Sequence, residues 1–394
     1  MIKTKTVNTG DWIDIAFSVE EKKPHCQLGL GITPGRAPSA IDYGQWNDLP
    51  DLLSMLVNET KAPSMAMAII KDSKIYKSAV SGVRKTGTKT KSELADRYHI
   101  GSVGKSMTAV MIGKLVEENK IAWSTTIGDI LTDIEMREDY RDVTVLQLLN
   151  HRSGLHAFVD DRSFDRTQFV DDALNAKQQR EALVKSALQK DPVGPAGKTM
   201  TYSNAGYVVL GVMAERIMAK PFESLMTEYV FGPLKFKHAG FGWPQSEGRT
   251  QQPTGHALVG QLVQALEADQ YPTGHYLNPA GNVHLSISDL ATYAIFHLQA
   301  LKAQSSILTP EVATQLHTPP EDGNYAAGWF VAKAADGTPK HFHNGSLVVF
   351  YAAIFLYPEH DAAIVVASNM GTSVEPDVLK AVEAIFEKEI RQTK

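Results

Sequence analysis

The pattern of apolar and polar positions predicts strands at both ends of the chain, with helices between them. Met65 to Ile70 and Ile75 to Val80 are apolar runs flanking Lys71-Asp-Ser-Lys74, and turn residues between two such runs are typical of a β-hairpin. Before this hairpin, apolar residues recur at helical spacing from Asp48 to about Asn58 and predict a helix. Glycine and proline break any period in residues 1–45, so we expect an irregular arm there.

The apolar pattern from Tyr98 to about Leu301 is mostly helical, with long loops expected around Phe158–Asp165 and Gly240–Thr273. Strand character returns near the end of the chain in four short apolar segments: Ala327–Lys333, Lys340–Asn344, Ala352–Tyr357 and Ala362–Ser368. A final amphipathic helix is expected after Ser373, because apolar residues recur there at spacings of three and four.

These elements predict an α/β (α+β) fold. We expect an antiparallel sheet, built from both chain ends and flanked by helices, that carries an inserted and mostly helical lobe. The expected division is an N-terminal arm over 1–45, a sheet lobe formed by 46–97 and 302–394, and a helical lobe over 98–301. A cleft between two lobes is the usual place for a small-molecule site.

Composition and charge exclude several classes of partner. The net charge of −5 argues against nucleic acid or an anionic membrane, and no apolar run reaches the ~18 residues of a membrane span. Cys26 is the only cysteine and the histidines lack metal-binding spacing, so we expect no metal and no cofactor. The N-terminus lacks the apolar region of a signal peptide, which predicts a cytoplasmic protein if Met1 is the true start. The oligomeric state stays open.

One segment, His99 to Val110, contains the only Ser-x-x-Lys of the chain, at Ser102 and Lys105. On a helix, a lysine three residues after a serine lies on the same face and reaches its hydroxyl. A serine needs such a base to become a nucleophile. Because apolar residues at spacings of three and four continue after Lys105, the segment predicts a helix with Ser102 in its first turn.

The same segment ends like a phosphate-binding loop, because Gly104-Lys-Ser106 matches the last part of G-x-x-x-x-G-K-[ST]. That loop needs a glycine five residues before Gly104, where the chain has His99. It also follows a buried strand, whereas the residues from Lys91 to Tyr98 are mostly polar. The sequence therefore disfavours nucleotide binding.

Two further motifs follow in order along the chain. Tyr202-Ser-Asn204 precedes an apolar helical run, and His343-Asn-Gly345 lies on a predicted strand. Ser-x-x-Lys, Tyr-x-Asn and a basic residue-x-Gly in this order resemble the serine β-lactamase and penicillin-binding-protein superfamily. Val145–Leu155 and Asn278–Asp289 also resemble segments of this superfamily, so the resemblance covers about residues 60 to 390.

The resemblance implies a β-lactamase-like fold and a two-step acyl transfer. Ser102 would attack an ester or amide carbonyl, and Lys105 would help to take its proton. Tyr202 would carry a proton to the leaving group and later activate the deacylating water. To act as a phenolate, Tyr202 would need positive charge nearby, from Lys105 and His343. Which group is the base in each step stays open, since Lys105 and Tyr202 would titrate as a coupled pair.

The resemblance assigns binding roles to the second and third motifs. Asn204 would orient Lys105 and a substrate amide, and the N–H groups of Ser102 and Ser346, just after Gly345, would form an oxyanion hole. His343 stands where typical β-lactamases have lysine, and a histidine is a weaker anchor for a substrate carboxylate. This departure resembles the esterase-like and D-aminopeptidase-like branches, while the tyrosine-based second motif resembles the class C-like group.

Other copies of these motifs occur in the chain: Tyr276-Leu-Asn278, His99-Ile-Gly101, His238-Ala-Gly240 and Lys85-Thr-Gly87. Their order and context disfavour them, because Lys85 precedes the nucleophile in a polar loop and Tyr276 lies in a predicted long loop. Trp243, Trp329 and Phe158 are candidates to line an acyl pocket, with burial in the core as the alternative.

We therefore expect a serine hydrolase that forms an acyl-enzyme with small ester or amide substrates, of the carboxylesterase type. Three alternatives stay open. The same residues serve a D-amino-acid or DD-peptidase or a weak β-lactamase, an acyltransferase (transesterase), or a non-catalytic penicillin-binding sensor that is acylated without turnover. The histidine of the third motif predicts faster turnover of uncharged esters than of penicillins.

Overall fold

The computed structural model describes residues 40–158, 174–245, 251–259, 262–267, 274–347 and 349–391, together with the backbone of three strands before residue 40. The strands are β1 (Ile2–Lys5), β2 (Trp12–Val19), β3 (Leu28–Gly35), β4 (Ser64–Lys71), β5 (Lys74–Gly82), β6 (Arg97–His99), β7 (Gly240–Phe241), β8 (Gly255–Val259), β9 (Leu262–Leu266), β10 (Val283–Ser286), β11 (Tyr325–Ala326), β12 (Trp329–Lys333), β13 (Pro339–Ser346), β14 (Tyr351–Tyr357) and β15 (Ala362–Ser368).

The α-helices are α1 (Leu49–Thr60), α2 (Gly104–Glu117), α3 (Ile127–Ile130), α4 (Glu138–Arg141), α5 (Val145–Leu149), α6 (Ala176–Leu188), α7 (Asn204–Met218), α8 (Phe222–Met226), α9 (Ile287–Leu301), α10 (Pro310–His317) and α11 (Glu375–Ile385). Short 3-10 turns at Gly101–Val103 and His275–Ala280 lie next to α2 and matter for the site.

The largest sheet has seven antiparallel strands in the order β11-β12-β13-β14-β15-β4-β5. Because β15 pairs with β4, strands from both ends of the chain build one sheet, as the sequence predicted. The β4–β5 hairpin turns through Asp72 and Ser73, which both have positive φ and so match the twist of the flanking strands. The predicted α/β fold with an antiparallel sheet is confirmed.

The central strands β4, β14 and β15 are buried on both faces of the sheet, and successive side chains of a strand point to opposite faces. In β4, Ala66 and Ala68 join the apolar core that contains α2 and α9. Met65 and Met67 join a second core that contains α1 and α11. This double cover explains why the central strands are continuous apolar runs and not alternating ones.

Helix α2 lies inside the first core and carries the Ser-x-x-Lys segment into it. Its residues from Gly104 to Gly113 are buried, and it packs against α7, α10 and the 3-10 turn at His275–Ala280. Lys105, which lies in this buried part of the helix, is therefore removed from water.

The expectation of an irregular arm in residues 1–45 is wrong. Strands β1, β2 and β3 form a separate antiparallel sheet of three strands. The signal was present as a period of two: from Ile13 to Val19 every second residue is a large apolar one, and from Leu28 to Ile32 glycine alternates with leucine and isoleucine. The glycines of β3 occupy alternate positions of the strand and do not interrupt it.

The long loop expected at Gly240–Thr273 is also partly wrong, because β8 and β9 form an antiparallel hairpin within it. The loop expected at Phe158–Asp165 lies outside the described residues beyond Phe158. The division into an arm and two lobes stays a prediction. Among the helices of the described ranges, none is both long enough and apolar enough to cross a membrane.

Candidate active site

Ser102 and Lys105 lie where the 3-10 turn at Gly101–Val103 leads into α2. The Nζ atom of Lys105 lies 3.0 Å from Oγ of Ser102. The spacing of three residues therefore places the two side chains in contact, as predicted.

The amine of Lys105 has three polar neighbours among the described residues. Besides Ser102 Oγ, they are Asn204 Oδ1 and the carbonyl oxygen of Ala280, both 2.6 Å from Nζ. The side chain is 0% exposed, and this burial lowers the pKa of Lys105 well below its usual range. A neutral amine has two N–H groups, which match the two carbonyl-type oxygens, and one lone pair, which is left for the Ser102 hydroxyl. Lys105 is thus arranged to take the proton of Ser102.

The second motif begins α7. Ser203 caps this helix by accepting a hydrogen bond from the Gly206 N–H at 3.2 Å, so Asn204 is its first residue. The Asn204 amide accepts from Lys105 through Oδ1 and donates through Nδ2 to the Phe158 carbonyl at 2.8 Å. These two bonds fix which end of the amide faces the lysine.

Tyr202 lies on the other side of the nucleophile. Its hydroxyl is hydrogen-bonded to Ser102, and its ring centroid lies 4.8 Å from Lys105 Nζ. Burial raises the pKa of Tyr202, and the bond to Ser102 opposes this only in part. The positive charge that a phenolate would need is missing while Lys105 is neutral, so Tyr202 is a phenol in the resting site.

The third motif lies on β13, between β12 and β14. His343 is buried, with Nε2 3.1 Å from the Tyr325 hydroxyl and Nδ1 bonded to the Asn344 carbonyl. Because a carbonyl only accepts, Nδ1 carries the hydrogen and Nε2 accepts from Tyr325. Burial lowers the pKa of His343 to about 3, so the ring is neutral. Both nitrogens have protein partners, which leaves neither as a charged anchor.

Gly345 lets β13 approach the turn that holds the nucleophile. A Cβ atom at Gly345 would lie 2.4 Å from the Ser102 backbone nitrogen, and one at Gly101 would lie 2.4 Å from that of Ser346. Gly101 also has a φ of +52°, a conformation that favours glycine. The turn before α2 and strand β13 are therefore in close backbone contact at Ser102 and Ser346, and an oxyanion hole formed by their N–H groups stays a prediction.

A cavity of about 250 Å³ lies at these motifs. Its described lining residues are Ser102, Tyr202, Phe330, His343, Asn344, Gly345, Ser346, Tyr351 and Thr372. Sequence analysis missed Phe330, Tyr351 and Thr372. Phe330 belongs to a predicted strand and Tyr351 directly precedes another, but which residues border a cavity depends on pairing across the sheet, and no local motif marks it.

The structure brings all of the predicted site residues together, with Lys105 and Asn204 behind the cavity surface. Their catalytic and binding roles stay predictions. Two partners had no sequence signal, the Ala280 carbonyl and Tyr325. The aromatic candidates for an acyl pocket, Trp243, Trp329 and Phe158, are buried in the core.

Comparison with known proteins identifies the family of this chain. The family profile described as Beta-lactamase matches residues 49–386. The chain belongs to the beta-lactamase family. Protein flp of Staphylococcus aureus strain MW2 is 24% identical over 327 residues, which cover 81% of this chain and 62% of that protein. This chain thus spans less than two thirds of the length of that relative.

Two solved structures share the fold of this family member. The octameric penicillin-binding protein homologue from Pyrococcus abyssi superposes with a TM-score of 0.71 at 23% identity, covering 86% of this chain and 77% of that one. EstCE1, a hydrolase with promiscuous acyltransferase activity, has a TM-score of 0.71 at 15% identity, covering 85% and 96%. This chain therefore has the same fold as the penicillin-binding protein homologue and EstCE1.

Proposed function

We propose that this chain is a serine hydrolase that forms an acyl-enzyme at Ser102 and acts on uncharged esters or amides of small substrates. The observation that supports it most is the contact of Ser102 Oγ with Lys105 Nζ at 3.0 Å. Lys105 is buried, and no charged group raises its pKa. Its amine can therefore act as a base toward the adjacent hydroxyl of Ser102.

In the first step, Ser102 Oγ forms a bond to the substrate carbonyl carbon while its proton moves to Lys105 Nζ. The electron pair of the carbonyl moves to its oxygen, and the N–H groups of Ser102 and Ser346 stabilise that charge. Removing one such donor typically costs about 10²–10³ in rate, so this stabilisation is a large part of the catalysis.

Tyr202 completes the proton transfers. Once Lys105 is a cation, 4.8 Å from the Tyr202 ring centroid, it makes the phenol a stronger acid. Tyr202 then donates its proton to the leaving alcohol or amine as the bond to the carbonyl carbon breaks, and it regains a proton from Lys105. In the second step, a water oxygen attacks the carbonyl carbon of the acyl-enzyme, and the water proton passes through Tyr202 to Lys105. The bond between that carbon and Ser102 Oγ then breaks, Ser102 Oγ regains a proton from Lys105, and the acid leaves.

The charges around the cavity support an uncharged substrate. His343 is neutral, and the described lining contains no arginine or lysine. At the edge of the cavity, the Asn344 amide donates to the carboxylate of Glu375, which adds negative charge and not positive. The cavity volume of about 250 Å³ is also slightly smaller than the ~300–1,000 Å³ of drug-sized ligand sites, which favours small acyl groups.

Steady-state kinetics with p-nitrophenyl acetate, p-nitrophenyl butyrate and benzylpenicillin test the proposal. We expect kcat/KM for an ester to exceed that for the penicillin by at least about tenfold, equivalent to ~1.4 kcal/mol of transition-state preference. The matched variant His343→Lys places a stronger base at the cavity and should move this ratio toward the penicillin. Ser102→Ala should abolish turnover of both substrates.

Other outcomes would assign the site differently. Equal or faster turnover of penicillin by the wild-type protein would support the peptidase or β-lactamase alternative. A stable acyl adduct without product release would support the sensor. If butyl esters form in the presence of 1-butanol faster than free acid does, the second step is transfer to an alcohol and the protein is an acyltransferase.

A further inference from the structure

His99 lies directly behind the nucleophile turn, although the motif order gave it no role. Its Nδ1 atom accepts a hydrogen bond from the Gly101 N–H at 3.1 Å. Gly101 is the residue whose positive φ presents the Ser102 N–H next to Ser346. His99 is 1% exposed, and Gly101 is buried as well. Without this bond the buried Gly101 N–H would be unpaired, at a cost of about 1–3 kcal/mol.

The other ring nitrogen of His99 begins a chain of buried side chains. Nε2 lies 3.0 Å from Asn282 Oδ1, and Asn282 Nδ2 donates to Asn278 Oδ1 at 2.8 Å. Asn278 Nδ2 donates to Glu223 Oε1 at 2.6 Å, and Arg180 donates to the same oxygen at 2.8 Å. The chain therefore joins the nucleophile turn to the ion pair between buried Arg180 and half-buried Glu223.

The two ends of this chain fix its direction. The Gly101 N–H only donates, so His99 Nδ1 must accept and Nε2 must carry the hydrogen. At the far end, the Glu223 carboxylate accepts, so Asn278 must present its NH₂ group there and its oxygen to Asn282. One tautomer of His99 and one orientation of each amide satisfy every bond. Such a chain is rigid, because turning any member breaks two hydrogen bonds.

The chain also includes the segment that holds Lys105. Asn278 lies in the 3-10 turn at His275–Ala280, whose last carbonyl accepts from Lys105 Nζ. Arg180 donates to the His275 carbonyl at 3.0 Å at the start of the same turn. The nucleophile turn and the carbonyl that orients its base are thus tied to one set of buried bonds.

We propose that His99 is a positioning residue, which holds the Gly101 turn so that the Ser102 N–H faces the oxyanion. The proposal rests on the proposed function, because it requires Ser102 to be the nucleophile. His99 does not touch the substrate. It acts through the Gly101 N–H, and the chain from Arg180 to Asn282 keeps its acceptor nitrogen in place.

Two isosteric variants separate this role from simple packing. In His99→Asn, Oδ1 takes the place of Nδ1 and keeps the bond from Gly101 while the bond to Asn282 is lost. In His99→Gln, the side-chain amide takes the place of Nε2 and keeps the bond to Asn282 while the bond from Gly101 is lost. The readouts are kcat/KM for p-nitrophenyl butyrate and the inhibition constant of phenylboronic acid, which forms an anionic tetrahedral adduct with a catalytic serine.

We expect His99→Gln to lower kcat/KM by about tenfold or more and to weaken phenylboronic acid by a similar factor, since both report on the oxyanion hole. His99→Asn should stay within about threefold of the wild type in both, even where its melting temperature falls. His297→Gln is the matched control, because His297 is an equally buried histidine bonded to His317 and outside this chain. It should lower the melting temperature without weakening phenylboronic acid.

Equal losses in the two His99 variants that follow their melting temperatures would overturn the proposal and leave His99 a structural residue. Unchanged phenylboronic acid affinity in His99→Gln would overturn it as well. In both cases the proposed function survives if Ser102→Ala is inactive. If Ser102→Ala keeps wild-type turnover, the proposed function itself fails.

Discussion

Two of the motifs occur both at the cavity and one layer behind it. The cavity copies are Tyr202–Asn204 and His343–Gly345, and the supporting copies are Tyr276–Asn278 and His99–Gly101. The cavity copies place a phenol, an amide and a backbone N–H around the nucleophile. The supporting copies contribute Asn278 and His99 to a buried chain of hydrogen bonds and the Tyr276 ring to the core.

The two histidines differ in the partners of their ring nitrogens and in little else. Both are buried and neutral, and their glycines meet at the same contact. His343 bonds to Tyr325 and to a carbonyl of its own strand, whereas His99 bonds to the Gly101 N–H and to Asn282. A short motif therefore does not carry a role by itself. The neighbours of each nitrogen decide it.

The glycines of the two copies should give the largest effects. We expect Gly345→Ala and Gly101→Ala each to lower kcat/KM by about 10³, because either Cβ atom would lie 2.4 Å from a backbone nitrogen of the proposed oxyanion hole. Gly87→Ala is the control, since Gly87 has a φ of +76° but no atom near its Cβ position. It should cost about 1 kcal/mol of stability and no activity. Ester kinetics and urea unfolding measure both, and an active Gly345→Ala would disprove the close contact.

The tyrosines of the two copies should differ more sharply. Tyr202→Phe keeps the ring and removes the proton carrier, so we expect kcat to fall by about 10²–10³ while acyl-enzyme accumulates or forms slowly. Tyr276→Phe removes a hydroxyl from a buried core ring and should change kcat less than about threefold. Stopped-flow kinetics and intact-protein mass follow the acyl-enzyme. If the two variants exchanged these outcomes, the copies would be assigned the wrong way round.

Much of the fold and the cavity copies followed from local sequence. The β4–β5 hairpin, the strands before α11 and the spacing of Ser102 and Lys105 are periodic or local signals, and the structure agrees with each. The order of the motifs along the chain selected the cavity copies. Motif order disfavours the supporting copies, but it gives no information on which buried residues hold the active-site residues in place.

Contacts between distant backbone groups had no such signal. The Ala280 carbonyl that binds Lys105 belongs to a group every residue has, so no side chain marks it. The chain from Arg180 to His99 depends on residues from four separate segments that only the fold brings together. The prediction of an irregular arm over residues 1–45 was wrong for another reason. Glycine at alternate positions obscured the strand period of two.

The histidines of the two copies should behave alike toward acid, and this is the smallest effect. Burial lowers the pKa of His99 to about 4 and that of His343 to about 3, against about 6.5 in an unfolded chain. The unfolded state then binds more protons below pH 6.5, so stability is full above that pH and falls toward the folded pKa values. Between pH 7.5 and 5.5 each histidine should cost ~1.4 kcal/mol.

Urea unfolding of the wild type and of His99→Asn at these two pH values measures this term. The variant lacks one titrating group, so its loss between pH 7.5 and 5.5 should be smaller by ~1.4 kcal/mol. An identical loss in the two proteins would mean that His99 is not buried in its neutral form.

The central claim is that Ser102 is the nucleophile of the cavity copies, and intact-protein mass after treatment with a fluorophosphonate tests it most directly. Ser106, one turn along α2 and bonded to Tyr293 and the Val103 carbonyl, provides the matched variant. We expect the wild type and Ser106→Ala to gain one phosphonyl group and folded Ser102→Ala to gain none. Full labelling of Ser102→Ala would place the nucleophile elsewhere and contradict the account.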